Sequence, residues 1–149
     1  MAESPEERVA RIRDKMVKIA KAQLGKPYKY GAPSYGVNRY FDCSSLVQYI
    51  YKRVGIDIPR CTIDQAAFMV RIPTWEAVKI GDLIFIKGEV GRYNQEFPDG
   101  IGHVYIVTGE HEMIHAQARE EGGGSVVTGS LADVFAQQIV TAICRELMD

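Results

Sequence analysis

The chain carries three cysteines and three histidines, and one cysteine sits in an unusual place. Cys43 lies in Phe41-Asp42-Cys43-Ser44-Ser45-Leu46, where Leu46, Val47, Ile50, Tyr51 and Val54 begin to recur at helical spacing until Gly55 ends the run. A thiol at a helix start lies among unpaired backbone N–H groups, at the positive end of the helix dipole. Both favour thiolate over thiol, so the position predicts a lowered pKa and a nucleophile. Most free cysteines are simply small buried hydrophobes. Cys61, at the entry to a second short helix, and Cys144, in the last apolar run, are read in that way.

A nucleophilic cysteine needs a base to take its proton and a third group to orient that base. His103 opens the apolar run Gly-His-Val-Tyr-Ile-Val, and His115 lies in the next run, Met-Ile-His-Ala. If these runs are adjacent antiparallel strands, the two imidazoles share a face. His115 then holds His103 in one tautomer, and His103 faces Cys43 across the helix–sheet boundary.

A rival pattern overlaps this one. His111-Glu112-Met113-Ile114-His115 spells H-E-x-x-H, which on a helix presents two zinc ligands and a glutamate base. Glu120, Glu121 or Glu146 would have to supply the third ligand. The motif, however, follows Thr108-Gly109, where a hairpin turn is expected, and a strand over 113–116 does not present its histidines as a helical pair. The expected metal requirement is therefore none, with His111 an exposed turn residue.

The elements that must position these groups follow from periodicity. Ser4-Pro5-Glu6-Glu7 reads as a capping box, and Val9, Ile12, Met16, Ile19, Ala20 and Leu24 form one apolar stripe that Gly25 closes. Lys26 to Phe41 reads as an ordered loop. Ile58 to Thr62 is a break before a short helix through Asp64, Gln65 and Phe68. After Pro73 the pattern becomes strand-like over Asp82–Ile86, Gly102–Thr108, Met113–Ala116, Ser125–Val127 and Gln138–Cys144. Helices first and strands second argue for an α+β fold with a mostly antiparallel sheet. The polar stretch between Lys87 and Gly102 is expected to overhang the sheet edge, and Trp75 to pack in the core. Gly122-Gly123-Gly124 reads as a turn, without the strand–loop–helix setting of a phosphate site.

A length of 149 residues with 46% hydrophobic and 25% charged residues suits one domain over 1–149. A net charge of −1 gives no electrostatic case for a nucleic-acid partner. The basic residues Arg8, Arg11, Arg13, Lys15, Lys18 and Lys21 read as a solvated helix face. Three widely spaced cysteines with no CxxC pair suggest reduced thiols. The start lacks the apolar core of a signal peptide, and no run has transmembrane length. Synthesis in the cytoplasm is the expectation, and oligomeric state is left open.

Taken in order, Leu24-Gly25-Lys26-Pro27-Tyr28-Lys29-Tyr30-Gly31, Phe41-Asp42-Cys43-Ser44, Ile58-Pro59-Arg60 with Gln65, Gly81-Asp82-Leu83-Ile84-Phe85, His103-Val104 and Ile114-His115-Ala116 resemble the NlpC/P60 family over roughly residues 16 to 143. The resemblance implies a papain-like cysteine peptidase acting on peptidoglycan stem peptides at the bond between D-isoglutamate and the following diamino acid, with no cofactor. It implies Cys43 as nucleophile, His103 as base and His115 as the third polar residue. Tyr28 would place its hydroxyl near the thiol, and Asp42 and Ser44 would help form the substrate pocket, Asp42 facing the free amine of an N-terminal L-Ala. Ser45 and Tyr105 depart from glycines common at their positions, and the loop over Gly31–Tyr40 and the 87–102 stretch run long. A binding module that keeps the cleft without turnover is the alternative reading. A cell-wall substrate lies outside the cell, so the place of action is left open.

Overall fold

Four α-helices and six strands follow one another among the described residues, 2–88, 91–119 and 121–146, of the computed structural model. The first helix, α1 (Pro5–Ala22), starts on the expected capping box. Ser4 Oγ accepts the Glu7 N–H at 3.1 Å, and Glu7 Oε1 accepts the Ser4 N–H at 3.2 Å. Val9, Ile12, Met16 and Ala20 bury one stripe, while Leu24 falls beyond the helix end and is 40% exposed. The second helix, α2 (Cys43–Arg53), is buried from Ser44 to Tyr51, so it is the central helix of the fold. A short α3 (Thr62–Phe68) follows the expected break.

The strands are β1 (Val70–Arg71), β2 (Leu83–Ile86), β3 (His103–Val107), β4 (Glu112–Ala118), β5 (Gly124–Ser130) and β6 (Val140–Arg145), with α4 (Leu131–Gln137) between the last two. They form one sheet in the order β1-β6-β2-β3-β4-β5, every pair antiparallel, which agrees with the α+β expectation. Three details differ. The two-residue β1 is too short to show alternation in sequence. The β4–β5 ladder runs from Glu112↔Ser130 to Ala118↔Gly124, beyond the apolar runs, because its far end is polar and exposed. The third detail is α4, capped by Ser130 Oγ on the Asp133 N–H at 3.3 Å, which breaks the helices-then-strands order.

Strand alternation divides the sheet into two faces. Leu83, Phe85, Val104, Ile106, Ile114 and Ala142 pack with Met16, Leu46, Val47 and Ile50, so this face carries α1 and α2. Ile84, Ile86, Tyr105, Val107, Met113 and Ile143 pack on the other face with Leu131 and Val134 of α4.

Two expectations are corrected here. The 87–102 stretch, of which residues 89 and 90 lie outside the described part, does not simply overhang the edge. Phe97 and Ile101 are each 1% exposed, the Arg71 guanidinium lies 4.5 Å from the Phe97 ring, and the Thr141 hydroxyl donates to the Gly100 carbonyl at 2.6 Å. Two apolar residues in a polar run suffice to anchor it. Trp75 is not core: on the 3-10 turn Trp75–Ala77 it is 59% exposed, with its ring 5.7 Å from Phe135. Its sequence neighbours Thr74 and Glu76 are exposed too, and they mark that turn as surface. Among the described residues no helix is long and apolar enough to cross a membrane.

Candidate active site

The start of α2 is built by a reciprocal cap. Asp42 Oδ1 accepts the Ser45 N–H at 2.9 Å, and Ser45 Oγ accepts the Asp42 N–H at 3.0 Å. Such a cap contributes about 1 kcal/mol. It also gives Ser45, which departs from the family pattern, a structural job. The other Asp42 oxygen accepts Arg60 Nη2 at 2.7 Å, and Arg60 Nη1 donates to Ser44 Oγ at 2.7 Å. Ser44 Oγ in turn lies 3.3 Å from Asp42 Oδ1, and Arg60 also donates to the Ala32 carbonyl. Gln65 of α3 donates to the Ser44 carbonyl at 3.1 Å and the Pro59 carbonyl at 2.8 Å. Arg60 therefore joins the loop before α2 to the helix itself. Both oxygens of Asp42 are already engaged, so an incoming ammonium would share Asp42 with Arg60.

On this frame Cys43 is the first residue of α2 and is partly exposed. Its sulfur takes backbone N–H groups from Ser44 and from Val104, the residue after His103. The thiol thus abuts the first peptide of β3. Burial nevertheless pushes Cys43 up to about 12, with the Asp42 charge acting in the same direction. The two N–H groups and Arg60 oppose the shift without overcoming it. The lowered pKa expected from the helix start is corrected accordingly: enclosure outweighs the dipole here, and the resting group is the thiol.

His103 and His115 meet as expected. The β3–β4 register pairs Ile106 with Ile114 and Val107 with Met113, and its continuation sets Tyr105 across from His115 with His103 on the same face. His103 Nε2 lies 2.7 Å from His115 Nδ1. Burial, with His115 as a lesser cause, pushes His103 down to about 3, and burial pushes His115 down to about 4, so both stand neutral. With Nε2 occupied by His115, Nδ1 is the His103 nitrogen left to take a proton. That role requires Nε2–H to donate to His115 Nδ1, which fixes both tautomers.

The ring of Tyr105 completes this corner, 4.8 Å from the His103 ring and 4.5 Å from the His115 ring. Tyr28 is half-buried, and burial followed by the charges of Cys43 and Asp42 pushes its hydroxyl up to about 12. It stays protonated beside the thiol, where the family resemblance put it. Cys43, His103, His115, Tyr28, Asp42 and Ser44 are thus brought to one region. Sequence reasoning left two features undecided: the Arg60 ties to Asp42 and Ser44, and the packing of Tyr105. The Pro59-Arg60 break and the Tyr105 departure were their only signals.

The H-E-x-x-H reading fails on geometry. Residues 112–118 form β4, and four residues along a strand separate His111 from His115 by roughly 13 Å, too far to share an ion. His115 Nδ1 already lies on His103, His111 is exposed, and Glu112 Oε1 accepts the Thr108 hydroxyl at 2.8 Å. Among the described residues no three His, Cys, Asp or Glu groups cluster to hold a metal, and Glu120 lies outside them. A cleft of about 850 Å³ beside Trp75, Val78, Ile80, Leu131 and Phe135 includes none of Cys43, His103 or His115.

Comparison with known proteins places the chain in a family. The family model described as NlpC/P60 family matches residues 25–144. A protein of Listeria monocytogenes named "Probable endopeptidase p60" is 38% identical over 101 residues, covering 66% of this chain and 18% of that protein. The peptidoglycan endopeptidase RipB of Mycobacterium tuberculosis is 34% identical over 138 residues, covering 86% of this chain and 52% of RipB. The RipB structure superposes with a TM-score of 0.73 at 27% identity, covering 95% of this chain and 68% of that one. A gamma-DL-glutamyl hydrolase of Bacillus subtilis is 31% identical over 133 residues, covering 87% of this chain and 28% of that protein. The chain spans about half or less of the length of these curated relatives. With its family model covering most of the chain, the chain belongs to the NlpC/P60 family of cysteine peptidases.

Proposed function

We propose that this chain hydrolyses amide bonds in peptidoglycan stem peptides, with Cys43 as nucleophile, His103 as base and His115 as its orienting partner. The observation that carries the reading is the 2.7 Å His103–His115 bond, which leaves one imidazole nitrogen free where β3 meets the Cys43 thiol. The resting pair is neutral, so the proton moves from sulfur to His103 Nδ1 as the sulfur attacks the amide carbonyl. The backbone N–H of Cys43, at the unpaired helix start, faces the developing oxyanion. His103 returns the proton to the leaving amine, and the acyl group stays on sulfur. Water, deprotonated by His103, then releases the acid and restores the thiol. Every step draws on side chains and backbone, with no metal or organic cofactor.

The finer reading is the bond itself, between D-isoglutamate and the following diamino acid. It is supported by the family pattern around Tyr28, Asp42 and Ser44 and by a relative that bears the name of a gamma-DL-glutamyl hydrolase. Tyr28, protonated beside the thiol, is a hydrogen-bond donor to the substrate. Asp42 and Ser44, held by Arg60, form a fixed polar wall.

Digestion of purified muropeptides of known sequence, with products identified by mass, tests the proposal. The expected products are L-Ala-D-isoglutamate fragments and peptides beginning with the diamino acid. Cleavage at another amide would keep the chemistry and overturn the bond. Peptide binding without any product would move the reading to the inactive binding module.

A further inference from the structure

We propose that Tyr105 is a positioning residue for the His103–His115 pair, its ring wedged against both imidazoles so that each keeps one orientation and one tautomer. The inference rests on the proposed Cys43–His103 chemistry and adds a residue to it.

The three rings form a closed triangle. His103 and His115 are 5.0 Å apart with planes at 81°, His103 and Tyr105 4.8 Å apart at 81°, and Tyr105 and His115 4.5 Å apart at 50°. Edge-to-face contacts at these separations are attractive and directional. Tyr105 is itself immobilised: it is 6% exposed and packs among Ile84, Ile86, Val107 and Met113 on the face shared with α4. A rigid ring on one side restricts rotation of an imidazole about its χ2 angle. If His103 turned over, the ring carbon Cε1 would replace Nε2 against His115 and Nδ1 would change places with Cδ2, so the bond to His115 would be lost.

The same ring keeps water from the imidazoles. His115 on β4 is the titratable group that acts on His103, while Asp42, Arg60 and the Tyr28 and Tyr105 hydroxyls surround Cys43 at the start of α2. Cys43 is a thiol at rest, and Asp42 beside it is bonded to Arg60 rather than to an imidazole. Enclosure then dominates, and it holds His103 well below the usual histidine range. Loss of the ring admits water, favours the imidazolium and raises that pKa. A base that must be neutral would then be lost at higher pH, so the acid limb of the rate moves upward.

The experiment compares the wild-type protein, Tyr105→Phe and Tyr105→Leu by 15N imidazole NMR titration and by the pH profile of muropeptide cleavage. In the wild type, His103 is expected to titrate below pH 4 with a single Nε2–H tautomer. Phe keeps the ring, so tautomer, titration and rate are expected within about twofold of wild type. Leu fills the space without a ring; the expected result is mixed tautomers, an acid limb raised by more than about one pH unit, and a kcat about tenfold lower at nearly unchanged KM. Wild-type titration near 6.5, an unaltered Leu variant, or a Phe variant as impaired as Leu would each overturn the proposal. The titration needs no substrate, so it judges Tyr105 even if the wild type cleaves nothing; a wild type that cleaves with an unshifted Leu titration removes Tyr105 alone.

Discussion

The two ends of β3 carry polar clusters of opposite kinds. At its C-terminal end, Val107 exchanges backbone bonds with Gly81 and Asp82, and Asp82 is 1% exposed. Arg145 holds Asp82 with two bonds of 2.8 and 2.7 Å, the Lys79 N–H adds a third at 2.8 Å, and Tyr51 donates to the Gly81 carbonyl at 2.5 Å. The carboxylate there faces a cation and matched donors. At the N-terminal end, Cys43, His103 and His115 are enclosed with no bonded counter-ion among the described residues and stand neutral. A paired charge has no proton to exchange, whereas a neutral acid beside a neutral base can pass one on. The first arrangement secures a fold and the second supports a reaction.

The largest expected effect on stability falls at the paired end. Asp82→Ala strands the Arg145 guanidinium and is expected to cost about 3–5 kcal/mol, lowering Tm by roughly ten degrees or more. Truncations at the reactive end should shift Tm by only a few degrees. Calorimetry on Asp82→Ala and His103→Ala reads the contrast, and equal losses would erase it.

Within the reactive end, the base should matter more than its partner. His103→Ala is expected to lower kcat/KM by about 10³–10⁴, and His115→Asn, which retains a polar group for the Nε2–H, by about 10² or less. A reversal of that order in steady-state kinetics would make His115 the base.

A smaller effect reads the resting proton directly. With Cys43 pushed up to about 12, its alkylation by iodoacetamide is expected to rise about tenfold per pH unit from pH 7 to 10. A rate that levels off below pH 9 would indicate a thiolate–imidazolium pair. Least of all is expected from chelation: EDTA should leave the cleavage rate unchanged, and loss of activity restored by zinc would contradict the neutral-pair chemistry.

Much of this was legible in sequence because local signals agreed with the global fold. The Asp42 cap, the apolar spacing of α2 and the run opening with His103 each carry their own pattern, and the two strand histidines meet because β3 and β4 form a hairpin. What stayed hidden depends on depth or distance. The helix start argued for a thiolate, but burial of Cys43 against the core outweighs it and reverses the sign. Arg60 reaches Asp42 across 18 residues, a distance periodicity does not report. Trp75 was placed inside on residue type alone, and Phe97 was lost in a polar stretch, because one aromatic residue has no period. His111 and His115 matched a helical motif in letters only, and the turn after Gly109 decided the geometry.

The central claim is that the enclosed thiol at the start of α2 breaks the amide bond, and Cys43→Ala tests it most directly. The variant and the wild type would be compared on one purified stem peptide, with circular dichroism confirming the fold of both. The account predicts full retention of structure and a fall in kcat of at least about 10⁴, in the range that loss of a nucleophile brings. A folded Cys43→Ala protein that still cleaves the peptide at a rate comparable to wild type would contradict it.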